Sequence, residues 1–305
     1  MLRYALAFLP LPLAAAEVTD HAGFAVTVPD APQRVVSLHD WVASVMAAEL
    51  DVPLAGSSAR VTDDGDFYIR SGFELFGLTV DNTPLASVHG QTDPERVASL
   101  NPDLIIGNSG DNLQQREQLA SIAPVLMMDP ENGMPPLEIY RDFADWTGRR
   151  DVFDAKLAAF QAQADRMAQG RDLSGCTYLP LLVNGRDGTL TIASDYGGVS
   201  LAMDALGAVP AEATALIPDG VARANVSAEI AGSLTAGVLI LTHLQSRDET
   251  AETTRAEFEQ VVPGFLDHLS GQGTVILNLP RERVYPTSFK GAAEVLAALP
   301  VGFCG

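Results

Sequence analysis

The stretch Thr92-Asp93-Pro94-Glu95-Arg96-Val97-Ala98-Ser99-Leu100-Asn101-Pro102-Asp103-Leu104-Ile105-Ile106-Gly107 contains one helix and the strand that follows it. Its first residues supply a capping side chain and a proline in the first turn, which predicts that a helix begins here. The helix is predicted to end at Leu100, because a proline follows two residues later. Residues 103–107 form a short and mostly apolar run, which predicts a buried parallel strand.

The second half of the chain repeats this order of helix and strand. Val226-Ser227-Ala228-Glu229 predicts a capped helix start, and residues 237–242 predict another buried strand that ends at His243. Short strands that alternate with helices form βαβ units, so each half is predicted to be an α/β, Rossmann-like lobe with a mainly parallel sheet. The other predicted strands are 34–38, 52–56, 86–88, 177–183 and 275–279, and the other predicted helices are 42–50 and 199–206.

A helical segment joins the two halves. Residues 137–169 have a helical pattern over most of their length, with one break at Gly148. After the break, apolar residues recur at roughly the 3.6-residue period of a helix. At about 1.5 Å per residue this part alone is roughly 30 Å long, so we predict a single long α-helix that bridges the lobes as a stiff connector. Those apolar residues are Phe153, Leu157, Phe160, Ala164 and Met167.

The amino terminus has the pattern of an export signal. Arg3 precedes an apolar run over residues 4–13, and Ala14-Ala15-Ala16 forms a small-residue cleavage site, so we predict a signal peptide over 1–16 that is cut before Glu17. The run is shorter than the ~20 residues of a spanning helix, and no cysteine follows the cut to carry a lipid anchor. We expect a soluble periplasmic protein with lobes over 17–136 and 171–305 and a connecting segment over 137–170.

The charge of the chain excludes two classes of partner. It has 39 acidic and 19 basic residues, which gives a net charge of −20. Such a surface repels nucleic acid and anionic lipid head groups. We interpret the excess of carboxylates as a solubilising exterior.

The chain has two cysteines, Cys176 and Cys304. Disulfides persist in exported proteins, and no further cysteine supports a catalytic or metal-binding pair. We therefore expect a disulfide that ties the carboxyl terminus to the second lobe.

Three parts of the chain resemble a known family. Residues 18–23, 26–29 and 31–38 are similar to the amino-terminal signature of the periplasmic binding proteins that serve ABC importers of iron–siderophores, haem and cobalamin. Residues 95–106 resemble the second signature of that family, and Thr147-Gly148-Arg149 resembles its inter-lobe helix. The resemblance covers essentially the whole mature chain, but neither signature touches the ligand.

The resemblance implies two lobes bridged by one long helix, a ligand cleft between them and limited hinge motion. It also implies docking on an ABC importer permease in the inner membrane through one acidic residue on each lobe, and we expect the protein to be a monomer. Glu95 and Glu229 occupy the matching positions. Both are also ordinary places for a carboxylate, because the helix macrodipole favours negative charge in the first turn.

Candidate ligand contacts follow the predicted strands. In open parallel sheets, ligands bind outside the carboxyl ends of the strands. Aromatic faces can cover the apolar surface of a ferric siderophore, and guanidinium groups can pair with its carboxylate or catecholate oxygens. An insert over residues 63–76 is positioned to fold over the mouth of the cleft. The candidates are Trp41, Tyr68, Tyr196 and Tyr285 with Arg70, Arg186, Arg247, Arg281 and Arg283.

Other ligands stay open at this point. His39, His89 and His243 each follow a predicted strand, and together with Asp40 or Asp195 they would suit a bare transition-metal ion such as Zn²⁺. Haem would need an axial ligand, for which Tyr68, Tyr196 or any of these histidines could serve, and cobalamin could stack on Trp41 and the tyrosines.

The enzyme hypothesis finds no support in the motifs. The sequence has no Gly-x-Ser-x-Gly elbow, no phosphate-binding glycine loop and no His-Glu-x-x-His run. We therefore expect a binding protein with no cofactor of its own, whose ligand is a small metal chelate, most simply a ferric siderophore.

Overall fold

The computed structural model of the protein describes residues 15–304. Most of the predicted signal peptide, residues 1–16, lies outside the described residues, so its cleavage stays a prediction. Within the described part of the chain, no helix is long and apolar enough to cross a membrane.

The amino-terminal lobe is an α/β unit that begins with a two-stranded antiparallel ribbon. Its strands are β1 (Ala15–Thr19), β2 (Ala25–Pro29), β3 (Val35–Ser37), β4 (Leu54–Val61), β5 (Phe67–Tyr68), β6 (Leu85–Val88), β7 (Leu104–Asn108) and β8 (Val125–Met128). Its helices are α1 (Ala43–Glu49), α2 (Gly72–Phe76), α3 (Pro94–Ser99), α4 (Ser109–Asn112) and α5 (Arg116–Ala120), with a 3₁₀ turn over Leu113–Gln115.

The sheet of this lobe has the order β5-β4-β3-β7-β8, and β6 also pairs with β4. All of these pairs are parallel except β4 with β5. Strands β3 and β8 are buried along their whole length because helices cover both faces of the sheet. Helix α3 begins where the sequence predicts, since the carboxylate of Asp93 accepts the N–H of Arg96 at 3.0 Å.

Two helices connect the lobes, α6 (Pro136–Trp146) and α7 (Arg150–Ala168). The break between them falls at Gly148, as predicted. This residue has φ +62°, and a Cβ there would collide with the backbone carbonyl of Asp30. Both the backbone conformation and the lack of space therefore require glycine. Helix α7 is the long bridging helix, with 19 residues.

The carboxy-terminal lobe is a second α/β unit. Its strands are β9 (Thr177–Asn184), β10 (Thr189–Ala193), β11 (Val209–Pro210), β12 (Arg223–Ser227), β13 (Val238–His243) and β14 (Val275–Pro280). Its helices are α8 (Gly198–Ala205), α9 (Ala251–Val261), α10 (Phe265–Gly271), α11 (Arg281–Val284) and α12 (Phe289–Ala298), with 3₁₀ stretches over Glu212–Leu216, Ala228–Ser233 and Gln245–Arg247.

The second sheet has the order β12-β10-β9-β13-β14, and β11 also pairs with β9. Strands β9, β11, β13 and β14 are parallel, whereas β10 and β12 add an antiparallel edge. The fold is therefore the predicted two-lobed α/β architecture with mainly parallel sheets. The antiparallel edge was not predicted, although Asp187-Gly188 before β10 is a hairpin signal.

One predicted helix is wrong. The segment after Ser227 forms only a six-residue 3₁₀ stretch, Ala228–Ser233, although the Ser227 hydroxyl accepts the N–H of Glu229 at 3.2 Å as a cap would. Gly232 and Ser233 follow within one turn, and both favour helix poorly, so the cap has no helix to continue.

The largest of three hydrophobic clusters in the described residues runs through both lobes and the connecting helices, and each lobe has a further cluster of its own. The centre of the largest cluster is aromatic: the Phe289 ring on α12 stacks on Tyr140 of α6 at 5.1 Å between centroids, and lies 5.5 Å from Phe153 and 5.6 Å from Phe160 of α7. The lobes are thus packed on a shared core and not merely tethered, which limits their relative motion.

A buried carboxylate joins the lobes inside this core. Glu49 at the end of α1 is 5% exposed. Its two oxygens accept the backbone N–H groups of Phe289 and Lys290, each at 2.8 Å, and the hydroxyl of Tyr140 donates to one of them at 2.8 Å. Burial raises the pKa of Glu49. The first lobe therefore caps the N-terminus of α12 in the second lobe.

The carboxyl terminus is bonded to the second lobe. The sulfur atoms of Cys176 and Cys304 lie 2.01 Å apart and form a disulfide between positions that are 128 residues apart in the sequence. Arg171 adds a hydrogen bond to the Phe303 carbonyl at 2.9 Å.

We predict that Glu49→Ala lowers the free energy of unfolding by about 2–4 kcal/mol, because two helix N–H groups and one hydroxyl lose their buried acceptor. Glu49→Gln should cost less, since its amide oxygen still accepts. Urea unfolding measures both. The control Glu117→Gln removes an exposed carboxylate of α5 and should stay within about 0.5 kcal/mol of the parent chain. An Ala variant as stable as the control contradicts the prediction.

Candidate functional site

The carboxyl ends of the parallel strands bring several predicted residues together between the lobes. Trp41 follows β3 in the first lobe, and Tyr285 follows α11 in the second. Their rings lie 4.6 Å apart between centroids, tilted by 52°. Tyr196 continues the row at 4.9 Å from Tyr285 in an edge-on arrangement. We call these three side chains the aromatic row; it crosses from one lobe to the other.

The aromatic row ends at an arginine in the second lobe. The Tyr196 hydroxyl lies 2.9 Å from the hydroxyl of Thr242, and the Nε of Arg281 donates to that same hydroxyl at 3.0 Å. Tyr196 is 2% exposed, whereas Arg281 and Tyr285 are half-buried. Trp41, like Tyr285, is half-buried, so these two members of the row have side-chain surface free for a ligand and Tyr196 does not.

A charged cluster lies on the first-lobe side of the row. Asp40, which is fully buried, accepts the Nε of Arg70 at 3.0 Å and pairs with the Nδ1 of His89 at 2.9 Å. The other ring nitrogen of His89 lies 3.5 Å from Asp111. We call these four residues the Asp40 cluster. Although burial opposes ionisation, His89 and Arg70 hold the pKa of Asp40 well below its usual range.

Arg70 also touches the aromatic row directly. Its guanidinium carbon lies 3.6 Å from the centroid of the Trp41 ring, within cation–π distance. Arg70 is 7% exposed, so its guanidinium is largely hidden from the cleft, and its Nη2 has no hydrogen-bond partner among the described residues.

A contact between the lobes closes the other side of the row. Glu131, in the loop after β8, accepts the hydroxyl of Tyr285 at 2.8 Å and pairs with Arg223 of β12 at 2.8 Å. These three residues line a small pocket together with Asp195, and burial there raises the pKa of Asp195 to about 7. Sequence analysis missed Glu131 and Arg223, because the strand before Glu131 and the strand that carries Arg223 were not predicted.

The remaining predicted contacts lie apart from the row. Arg283 pairs with Glu294, its Nε lying 2.6 Å from the carboxylate, and also donates to the Glu74 carbonyl at 2.9 Å. The hydroxyl of Tyr68 is hydrogen-bonded to the Glu74 carboxylate. The insert over 63–76 therefore contacts the second lobe, but the structure gives Tyr68 and Arg283 partners within the protein.

Arg186 and Arg247 are exposed on the second lobe. Together with Arg281 they follow the ends of β9, β13 and β14, which are adjacent parallel strands. None of the three forms an ion pair with another residue in the part of the chain that the structure describes. We call them the cationic edge of the second lobe.

The alternative metal site of three histidines is not formed. Within residues 15–304, no group of three or more His, Cys, Asp or Glu side chains is placed to share a metal ion. The rings of His39 and His89 are 6.0 Å apart, and His243 is bonded to Asn278 at 2.8 Å in the second lobe. His39 and His89 follow strands β3 and β6 of the first sheet, whereas His243 ends β13 of the second sheet.

Glu95 and Glu229 are both exposed, in the first turn of α3 and of the Ala228–Ser233 stretch. Neither carboxylate is ion-paired to another described residue. Glu95 also lines a surface groove whose wall includes Phe67, which is 42% exposed.

Two α/β lobes on a bridging helix, with an aromatic row between them, define a two-lobed ligand-binding protein. Residues 75–261 match the family model of periplasmic binding proteins, and the chain belongs to that family. No curated protein sequence matches the chain.

Solved structures share the fold at low sequence identity. Holo-ViuP matches with a TM-score of 0.71 and 18% identity, covering 94% of each chain. BSU3320 from Bacillus subtilis, a periplasmic binding protein component of a ferrichrome ABC transporter, matches with a TM-score of 0.64 and 19% identity over 92% of this chain and 97% of its own. The periplasmic catecholate-siderophore binding protein VctP from Vibrio cholerae matches with a TM-score of 0.62 and 15% identity over 93% and 99%.

Proposed function

We propose that this protein is the soluble periplasmic solute-binding component of an ABC importer and that it binds a ferric siderophore between its lobes. It acts as a monomer, with no catalysis and no cofactor of its own. The observation that carries the proposal is the aromatic row, in which Trp41 and Tyr285 from opposite lobes face each other at 4.6 Å. Binding proteins with this fold include one for catecholate siderophores and one from a ferrichrome transporter.

The two sides of the cleft suit different parts of such a ligand. Trp41 and Tyr285 offer aromatic surface to the apolar parts of a chelate. The cationic edge of Arg186, Arg247 and Arg281 offers guanidinium groups to its anionic oxygens. Since Trp41 and Tyr285 are in contact with each other, a ligand must part them, by a small opening of the lobes or by rotation of the side chains.

Haem is the weaker alternative for a specific reason. The two tyrosines predicted as axial ligands already have partners, Tyr196 with Thr242 and Tyr68 with Glu74. Cobalamin would use the same stacking surface as a siderophore, and only titration separates the two.

We predict that a ferric siderophore saturates the protein and quenches the fluorescence of Trp41. Because the chain has two tryptophans, the titration is done in a Trp146→Phe background. The panel contains ferric catecholate, hydroxamate and carboxylate complexes, with haem, cobalamin and Zn²⁺ alongside. Tyr285→Ala should weaken binding by about tenfold, because half of the aromatic surface is lost. Saturation by Zn²⁺, haem or cobalamin alone would refute the siderophore proposal.

Delivery of the ligand requires docking on the permease, for which we propose Glu95 and Glu229. Their support is that both carboxylates are exposed, lie in first turns of helical segments on different lobes, and are not used in ion pairs with described residues. Exposed charges of this kind steer association with a partner of opposite charge.

The double variant Glu95→Ala with Glu229→Ala should keep ligand affinity within about twofold and reduce transport in reconstituted vesicles by about tenfold or more. The matched control removes two exposed carboxylates elsewhere, Glu117→Ala with Asp151→Ala. Normal transport by the docking variant, or an equal loss in the control, would contradict the assignment.

A further inference from the structure

The orientation of the Trp41 indole has no hydrogen bond to define it. Its Nε1 is buried and has no partner in the described part of the chain. A buried Trp N–H usually finds an acceptor, so the ring must be held by what lies against it. The indole packs against the hydrophobic core, and two planar groups lie on it: the Arg70 guanidinium, 3.6 Å from the ring centroid, and the Tyr285 ring at 4.6 Å.

Of these two groups, only Arg70 belongs to the same lobe as Trp41. Tyr285 is in the other lobe and must move away from Trp41 when a ligand enters the cleft. The guanidinium then remains stacked on the indole, and no other planar group within residues 15–304 does so. Arg70 therefore contributes, with the core beneath the ring, to keeping the Trp41 surface ordered when the ligand meets it.

Arg70 is itself fixed by the Asp40 cluster. Its Nε donates to Asp40 at 3.0 Å, and Asp40 is held from its other oxygen by His89 at 2.9 Å. Asp40 is fully buried and Arg70 is 7% exposed. A charge pair with so little solvent around it is screened weakly, and removing one partner would leave the other charge buried alone.

We propose that Asp40 and Arg70 are positioning residues, which hold the Trp41 indole in place as one wall of the cleft, and that Arg70 does not pair with the ligand. This assigns to Arg70 a role different from the one its sequence position suggested. For its effect on ligand affinity the proposal rests on the proposed function. The ordering of Trp41 in the ligand-free protein does not depend on it.

The test compares Arg70→Lys and Asp40→Asn in the Trp146→Phe background, where Trp41 is the single tryptophan. Lysine keeps the charge that Asp40 needs but lacks the planar face that stacks on the indole. Asparagine keeps the shape of Asp40 and removes its charge. The control Arg255→Lys changes an arginine that pairs with Asp267 on the exposed surface of the second lobe.

In the ligand-free protein, both cluster variants should lose the near-ultraviolet circular dichroism of Trp41. Acrylamide quenching of Trp41 fluorescence should rise by about threefold, because loss of the cation–π contact lets the indole leave its ordered position more often by a factor of that order. The control should change neither. Far-ultraviolet circular dichroism confirms that each variant is folded, and Arg70→Lys is the variant expected to disturb the buried pair least.

The affinity measurement uses one uncharged ferric hydroxamate and one anionic ferric catecholate. A positioning role predicts an equal loss of about fivefold for both chelates. A direct contact with the ligand predicts a loss confined to the anionic chelate and unchanged Trp41 spectra without ligand, and that result overturns the proposal. If neither chelate binds the parent chain, the proposed function fails, while the ligand-free spectra still decide the role of Arg70.

Discussion

The structure depends on one buried carboxylate that belongs to both lobes. Glu49 ends the first helix of the amino-terminal lobe and accepts the first N–H groups of α12 in the other lobe. A helix N-terminus buried without acceptors is costly, so α12 cannot leave Glu49 without losing stability. Phe289 of α12 also fills the aromatic centre of the shared core, so two sets of buried contacts fix α12 against the first lobe.

Because the lobes are joined at Glu49 and Phe289, residues from opposite sides of the cleft lie close enough to touch. Trp41 and Tyr285 meet without a covalent link, and Glu131 ties Tyr285 and Arg223 from the other side. The Glu131 pair with Arg223 is exposed and therefore weak. Breaking it costs less free energy than breaking the buried contacts of Glu49. The inter-lobe contacts thus include strong buried ones at Glu49 and a weak exposed one at Glu131.

Local features of the fold were predictable because they depend on neighbours in sequence. Helix α3 and strand β7 follow from a cap, a proline and an apolar run. The break between α6 and α7 follows from the glycine at position 148. The site was predicted as a set of residue types, and Trp41, Tyr196, Tyr285 and Arg281 do come together. What the pattern could not give is which charges neutralise one another, because Arg70 and Asp40 are 30 residues apart and Arg223 and Glu131 are 92 apart.

The central claim is that a ferric chelate binds against Trp41 between the lobes. The most direct measurement is the indole N–H nuclear magnetic resonance of the two tryptophans, with the ferric siderophore and with its diamagnetic gallium analogue. The account predicts that the ferric complex broadens the Trp41 signal beyond detection and that the gallium complex only shifts it. Trp146 of α6, whose ring packs on His21, should keep its signal with both complexes. A Trp41 signal that stays sharp at saturation with the ferric complex would contradict the account.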